Sequence, residues 1–199
     1  MKNVLITGGA GFIGFNLTKR LIDCGYSVTI LDNLSKKIHP SNSRYDKLKD
    51  ITRFIIGDVC SRSDWEKAIC NQDVIIHLAA ETGTGQSMYE ITRYNDVNIL
   101  GTSHLLNILA NESHSIQKIV IASSRSIYGE GKYLHPEYGV VYPNHRNEED
   151  MLVGNFEVTY NGCSNLKLVG TDEESKIHPS SVYGITKQNQ EQMIMTVCP

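Results

Sequence analysis

Val4-Leu5-Ile6-Thr7-Gly8-Gly9-Ala10-Gly11-Phe12-Ile13-Gly14 is a short apolar run that ends in glycines and reopens on apolar residues at helical spacing. Asn3–Thr7 reads as a buried first strand, and residues 12–24 as a helix with Ile13, Leu17, Leu21 and Cys24 on one side. Gly25 is its stop signal. Gly8-x-x-Gly11-x-x-Gly14 between strand and helix is the pattern that cradles a pyrophosphate. Gly8 allows the tight turn, Gly11 lets the backbone approach the phosphates, and Gly14 lets helix and sheet pack closely. The backbone N–H groups of Phe12 and Ile13 then face the anion at the positive end of the helix.

Working outward, short β-rich runs alternate with helical patterns, as in a parallel sheet with crossover helices. Strands are expected at 27–31, 53–56, 74–78 and 118–122. Helices are expected at 61–70, 96–111 and 181–197, with Ser61 as a cap. Asp32 ends the second strand, where an acid accepts from ribose hydroxyls and repels a 2′-phosphate, so NAD is favoured over NADP. The plain alternative for Asp32 is a turn former before Asn33, and Gly57-Asp58 also reads as a turn. Between residues 130 and 178 the alternation breaks. There Phe156-Glu157-Val158-Thr159-Tyr160 followed by Asn161-Gly162 predicts a small hairpin.

The bulk composition narrows the field. The chain of 199 residues suits one domain with a real core. A net charge of −3 leaves no electrostatic footprint for a nucleic acid polymer. No apolar stretch approaches the length of a membrane span, and the opening residues do not read as a secretory signal. Five cysteines without a Cys-x-x-Cys pair fit reduced thiols in the cytoplasm, with no metal site.

Tyr-x-x-x-Lys occurs three times, at Tyr45/Lys49, Tyr128/Lys132 and Tyr183/Lys187. The first falls in a polar loop and reads as solvated surface. The second spans Gly129 and Gly131, so no helix holds the two side chains on one face. Only Tyr183/Lys187 opens a credible helix, where residues four apart are neighbours. A phenol with an ordinary pKa near 10 falls short of neutral-pH phenolate by about 4 kcal/mol. A lysine cation about 6 Å away contributes on the order of 3 kcal/mol at an effective dielectric near 20. The positive nicotinamide ring of an oxidised cofactor could supply the rest. Tyr183 then becomes a general base at its working pH.

These segments, with Gly57-Asp58-Val59, His77-Leu78-Ala79-Ala80, Asn98-x-x-Gly101-Thr102, Ser123-Ser124-Arg125-Ser126-Ile127-Tyr128-Gly129 and Pro179-Ser180-Ser181-Val182-Tyr183, resemble the extended short-chain dehydrogenase/reductase superfamily. Within it they resemble NAD-dependent nucleotide-sugar epimerases of the UDP-glucose 4-epimerase type. Glu81 to Tyr89 and the long 130–178 insert look closest to the dTDP-L-rhamnose 4-epimerase branch. The resemblance implies an α/β fold, a Rossmann-type doubly wound parallel sheet over residues 1–199 interrupted by that insert. It implies a C-terminal substrate domain that this length does not accommodate.

By the same resemblance Ser124 hydrogen-bonds the reacting sugar oxygen, Tyr183 takes its proton, and Lys187 binds the nicotinamide ribose. Phe12, Ile13, Asp32, Asn33, Asp58, Val59, Leu78, Ala79, Ala80 and Asn98 line the cofactor. Ser126 and Arg125 are second choices for substrate contact. The implied reaction is oxidation of a dTDP- or UDP-sugar at C4 to a 4-keto intermediate, with hydride returned to the opposite face. A 4,6-dehydratase would need an Asp-Glu pair where Arg125-Ser126 stand. A 4-ketoreductase, or an NAD-binding piece without turnover, stays open. Relatives pair through two helices, so a homodimer through residues 96–111 and 181–197 is also open. His77 reads as a strand-end imidazole satisfied by its neighbours.

Overall fold

The computed structural model describes residues 2–38 and 43–198. Five parallel strands form the main sheet. They are β1 (Asn3–Thr7), β2 (Ser27–Asp32), β3 (Arg53–Ile56), β4 (Val74–His77) and β5 (Lys118–Ile121), in the order β3-β2-β1-β4-β5. The register sets Ile6 beside Ile30 on one side and Ile76 on the other. From β1 the chain winds outward through β2 and β3, then returns to lay β4 and β5 on the opposite flank. The order therefore reverses between β1 and β4, and a crevice opens beyond their carboxyl ends. This is a Rossmann-type doubly wound sheet, and β5 forms one of its edges.

Both faces are covered, which is why the strands read as continuous apolar runs rather than alternating ones. Alternate residues serve opposite cores. Val4, Ile6, Val28 and Ile30 pack with Phe15, Leu17 and Leu21 of α1 (Phe12–Asp23) and with Leu48 of α2 (Ser43–Leu48). Leu5, Leu31 and Ile75 face Trp65 and Ala68 of α3 (Arg62–Ile69). The fully buried Trp65 donates its indole N–H to the Val59 carbonyl at 2.8 Å. Ser61 caps α3 by accepting from the Asp64 N–H, and Gly25 (φ +83°) follows α1, as expected.

Beyond β4 lie α4 (Thr84–Ser87), α5 (Ile91–Tyr94), a π-helical stretch (Asn95–Leu100) and α6 (Gly101–Asn111). The helical run expected at 96–111 therefore begins five residues earlier and contains a π segment. Leu105 and Ile108 of α6 complete the second core. After β5 a 3₁₀ turn (Arg125–Tyr128) leads into β6 (Tyr133–His135), β7 (Gly139–Val141), α7 (Glu148–Leu152) and β8 (Lys167–Leu168). The last helix is α8 (Val182–Val197), capped by the Ser181 hydroxyl on the Gly184 N–H at 3.0 Å.

The region between 130 and 178 corrects the hairpin expectation. A separate antiparallel sheet runs β7-β6-β8, and residues 156–162 contribute only the bridge between Tyr160 and Cys163. Asn161 and Gly162 do form the tight turn, with φ of +50° and +79°. The flanking apolar residues do not pair with each other, because Val158 and Tyr160 pack against Tyr133 and Val141 instead. A second correction concerns Tyr45, which lies on the short helix α2 rather than in a loop. Lys49 just beyond it is exposed and pairs with Asp46, so the surface reading holds for the lysine, whereas Tyr45 is half-buried against Phe54.

Candidate active site

The glycine loop is shaped by what no side chain could occupy. Gly8 sits at φ +68°, and a Cβ there would lie 2.8 Å from the Ala79 backbone nitrogen. A Cβ on Gly9 would strike the Ile30 side chain at 2.6 Å, a constraint the three-glycine reading missed. A Cβ on Gly14 would collide with the Gly8 carbonyl and with Gly9. Gly14 therefore lets α1 sit on the loop itself, rather than on the sheet as its spacing suggested. A Cβ on Gly11 would meet only the Gly8 carbonyl, at 3.1 Å, so its outer side is open. The N–H groups of Phe12 and Ile13 lie in the first turn of α1, where no intrahelical acceptor exists.

A cavity of about 430 Å³ opens over this loop. Gly8, Gly11, Phe12, Ile13 and Gly14 form one wall; Asp32, Asn33, Asp58 and Val59 form the second; Leu78, Ala79 and Ala80 form the third. Tyr183 and Lys187 line the same cavity. Asp32 is buried, and its two carboxylate oxygens accept from the N–H groups of Ala10 at 3.0 Å and Leu34 at 2.9 Å. It thus ties the glycine loop to the exit of β2 while lining the cavity. Burial would raise the Asp58 carboxyl, but hydrogen bonds from Asn33 and Cys60 outweigh it and hold the group below the usual range. The Cys60 thiol is pushed up to about 12 by burial and the nearby Asp58 carboxylate, which keeps it inert at neutral pH.

Tyr183 and Lys187 stand one turn apart on α8. The Tyr183 ring meets Tyr94 edge-on at 6.3 Å, and its backbone N–H donates to the Ser87 hydroxyl at 3.0 Å. Lys187 is 4% exposed, and burial lowers its ammonium to about 8. About nine tenths of it is still charged at pH 7. Nζ donates to Oε1 of Gln190 at 2.5 Å, and Lys187 forms no ion pair among the described residues. The other two Tyr-x-x-x-Lys matches do not line this cavity. Gly129 and Gly131 have positive φ, and Lys132 pairs with Asp172 instead.

Four expected site residues, Ser124, Arg125, Ser126 and Asn98, lie off the lining. Ser124 caps the 3₁₀ turn, accepting from the Ser126 N–H at 3.1 Å, while its neighbour Ser123 faces the cavity and donates to Glu191 at 2.5 Å. The Ser126 carbonyl packs against Gly184, where a Cβ would come within 2.7 Å. The turn begun by Ser124 is thereby pressed against the first turn of α8. Asn98 is fully buried behind the wall. Its Oδ1 accepts from the Glu81 N–H at 2.9 Å, and its amide donates to the Glu81 carbonyl and to Thr186. It clamps the loop after β4 to α8 rather than touching the cavity.

Reading the residues alone also overlooked two contributors. Glu81 lines the cavity while pairing with Lys37 at 3.4 Å and Arg93 at 2.7 Å. Gln190 supports Lys187. The available signal was spacing, since 183, 187, 190 and 194 form one stripe of α8. His77 is satisfied by Thr7 and Thr102, as expected, and burial followed by the Lys187 charge lowers it to about 3.

Comparison with known proteins agrees with this geometry. The chain is 33% identical over 195 residues to a dTDP-L-rhamnose 4-epimerase of Burkholderia thailandensis, covering 97% of this chain and 53% of that protein. It is 35% identical over 136 residues to a bifunctional UDP-glucose and UDP-xylose 4-epimerase of Arabidopsis thaliana, covering 65% and 38%. The UDP-glucose 4-epimerase of Thermotoga maritima, solved with UDP-glucose, superposes with a TM-score of 0.71 at 26% identity, covering 98% of this chain and 50% of that one. That of Brucella ovis, solved with NAD, gives 0.65 at 25%, covering 98% and 47%. This chain thus spans about half the length of the curated relatives it matches. A family profile matches residues 4–149, and the chain belongs to the NAD dependent epimerase/dehydratase family.

Proposed function

We propose that the cavity holds NAD and that Tyr183 and Lys187 serve a nucleotide-sugar 4-epimerase reaction, on a dTDP- or UDP-linked sugar. The observation that carries this reading is the meeting of a Tyr/Lys pair with a glycine cradle and a buried ribose-binding acid in one cavity. The fit to a dinucleotide rests on that cradle: Gly8 and Gly14 leave no room for a Cβ, and the open side of Gly11 admits a pyrophosphate. Gly11, Phe12 and Ile13 would hold the phosphates, and Asp32 the adenosine ribose, where its charge opposes a 2′-phosphate. Bound there, NAD supplies the hydride acceptor and donor at the sugar C4.

The chain's own residues do the rest. Tyr183 removes the C4 hydroxyl proton and gives it back. Lys187 orients the nicotinamide ribose, and its charge favours the ionised phenol. Ser123 or Ser124 steadies the sugar oxygen; the cavity lining favours Ser123, and the family motif favours Ser124. The same proposal treats residues 1–199 as one dinucleotide-binding unit with the 130–178 segment inserted. It includes a cytoplasmic setting, supported by five cysteines that all stand as free thiols. A homodimer through α6 and α8 belongs to it as well.

The test incubates the protein with NAD and UDP-glucose or dTDP-L-rhamnose carrying deuterium at C4. The reading expects the C4 epimer with the label retained and no net change in NADH. Net formation of NADH together with a released 4-keto sugar would instead mark a 4-ketoreductase running in reverse. NAD binding without any conversion of either sugar would remove the epimerase assignment.

A further inference from the structure

Lys187 is held by an uncharged acceptor, and the side chains behind that acceptor decide which of its atoms faces the ammonium. Gln190 is fully buried, with Oε1 on Lys187 Nζ and Nε2 at 2.7 Å from the Thr102 hydroxyl. Thr102 Oγ1 also lies 2.7 Å from the Asn98 carbonyl, which can only accept. Its proton goes there, and its oxygen is left to accept. A reversed amide would set two proton-less oxygens together at Thr102 and two donors together at Lys187. One orientation satisfies every group.

The imidazole continues this network. Its Nε2 lies 3.2 Å from the Thr102 oxygen and 3.4 Å from Gln190 Nε2. Its Nδ1 lies 2.6 Å from the Thr7 hydroxyl, and the Thr7 oxygen accepts from the Ala79 N–H at 3.1 Å. Thr7, His77, Thr102 and Gln190 are all buried. A continuous polar chain therefore runs from the residue before Gly8, through the middle of the sheet, to the ammonium.

We propose that Gln190 is the positioning residue for Lys187: a neutral oxygen, oriented by Thr102 and His77, holds the ammonium at the cavity without cancelling its charge. The proposal rests on the reading that Lys187 serves Tyr183 and the dinucleotide. A carboxylate at 190 would pair with the ammonium and screen it from Tyr183, whereas an apolar residue would leave a buried donor without its acceptor. Burial alone, with no carboxylate contributing, accounts for the low proton affinity of Lys187, as this arrangement requires.

Other titratable groups must be kept apart from this effect. On α8 they are Tyr183 and Glu191, the latter bonded to Ser123. Elements packed against α8 carry Arg93, Tyr94, Asp96, His104, Arg125 and Tyr128, whereas the titratable group that joins the Lys187 network is His77 on β4, next to Thr102 and Gln190.

The test follows the Lys187 titration in the ligand-free protein by carbon-13 labelling of lysine Cε, assigned by the signal missing from Lys187→Met. The parent midpoint is expected at about 8. Gln190→Glu should raise it by about one pH unit or more, and Gln190→Met should lower it by roughly half a unit. Gln190→Met conserves volume and decides the matter alone if the buried carboxylate prevents folding. Midpoints that stay within about 0.3 unit of the parent, or move the opposite way, overturn the proposal. Midpoints that move as expected in a protein without turnover would uphold the positioning role and remove the catalytic reading. Stationary midpoints in an active protein would do the reverse.

Discussion

Replacing Tyr183 by Phe is expected to lower turnover of the nucleotide sugar by about 10²–10⁴-fold, the range for losing a positioned general acid–base. The substitution removes one oxygen and little else. The ring keeps its edge contact with Tyr94, and the bond from residue 183 to Ser87 is made by the backbone N–H. The Ser181 cap on Gly184 is likewise untouched. NAD affinity should therefore stay within a few-fold of the parent, as calorimetric titration would show. A turnover loss below about tenfold would remove Tyr183 from the chemistry.

Lys187→Met should move stability and function in opposite directions. Lowering an ammonium from 10.5 to about 8 corresponds to about 3 kcal/mol of destabilisation. The sign follows from proton binding. Below pH 8 the lysine is charged in both the folded and unfolded chain, so the burial cost is fully present. Between about 8 and 10.5 the unfolded chain holds more protons, and stability rises with pH; above 10.5 the cost is gone. Methionine removes the cost at neutral pH but leaves Gln190 Oε1 without its donor, which offsets part of the gain. The net expectation is about 1–2 kcal/mol, or roughly 2–8 °C in Tm for a chain of this size. NAD affinity should fall about 10–100-fold, the share of one charge-assisted hydrogen bond. The parent, unlike the variant, should gain stability between pH 8 and 10. Thermal melts across that range check both claims, and a destabilised Lys187→Met protein would contradict them.

The sheet and cradle could be read before the fold was known because each residue there answers to one strong local demand. Strands buried on both faces are unbroken apolar runs, and Gly8 and Gly14 stand where a Cβ collides with backbone. The second sheet escaped notice for an equally physical reason. The inward residues of β6 are Tyr133 and His135, and a buried histidine breaks the apolar pattern. Helix α2 rests on Leu48 and on Tyr45 stacked edge-on with Phe54 at 4.9 Å, which is too few anchors to show a period. Of the adjacent serines after β5 the motif singles out Ser124, but the turn that Ser124 caps sets Ser123 on the cavity lining, and no local pattern records that. Asn98 and Gln190 act across the fold, binding residues on other elements, and no local pattern records that.

The most direct measurement is a crystal structure of the chain with NAD bound. It should place the pyrophosphate on Gly11, Phe12 and Ile13, the adenosine ribose on Asp32, and the nicotinamide ribose within hydrogen-bonding distance of Lys187 Nζ, with the Tyr183 hydroxyl on that side. A dinucleotide seated with its nicotinamide end away from α8, or a Tyr183 hydroxyl directed out of the cavity, would contradict the account.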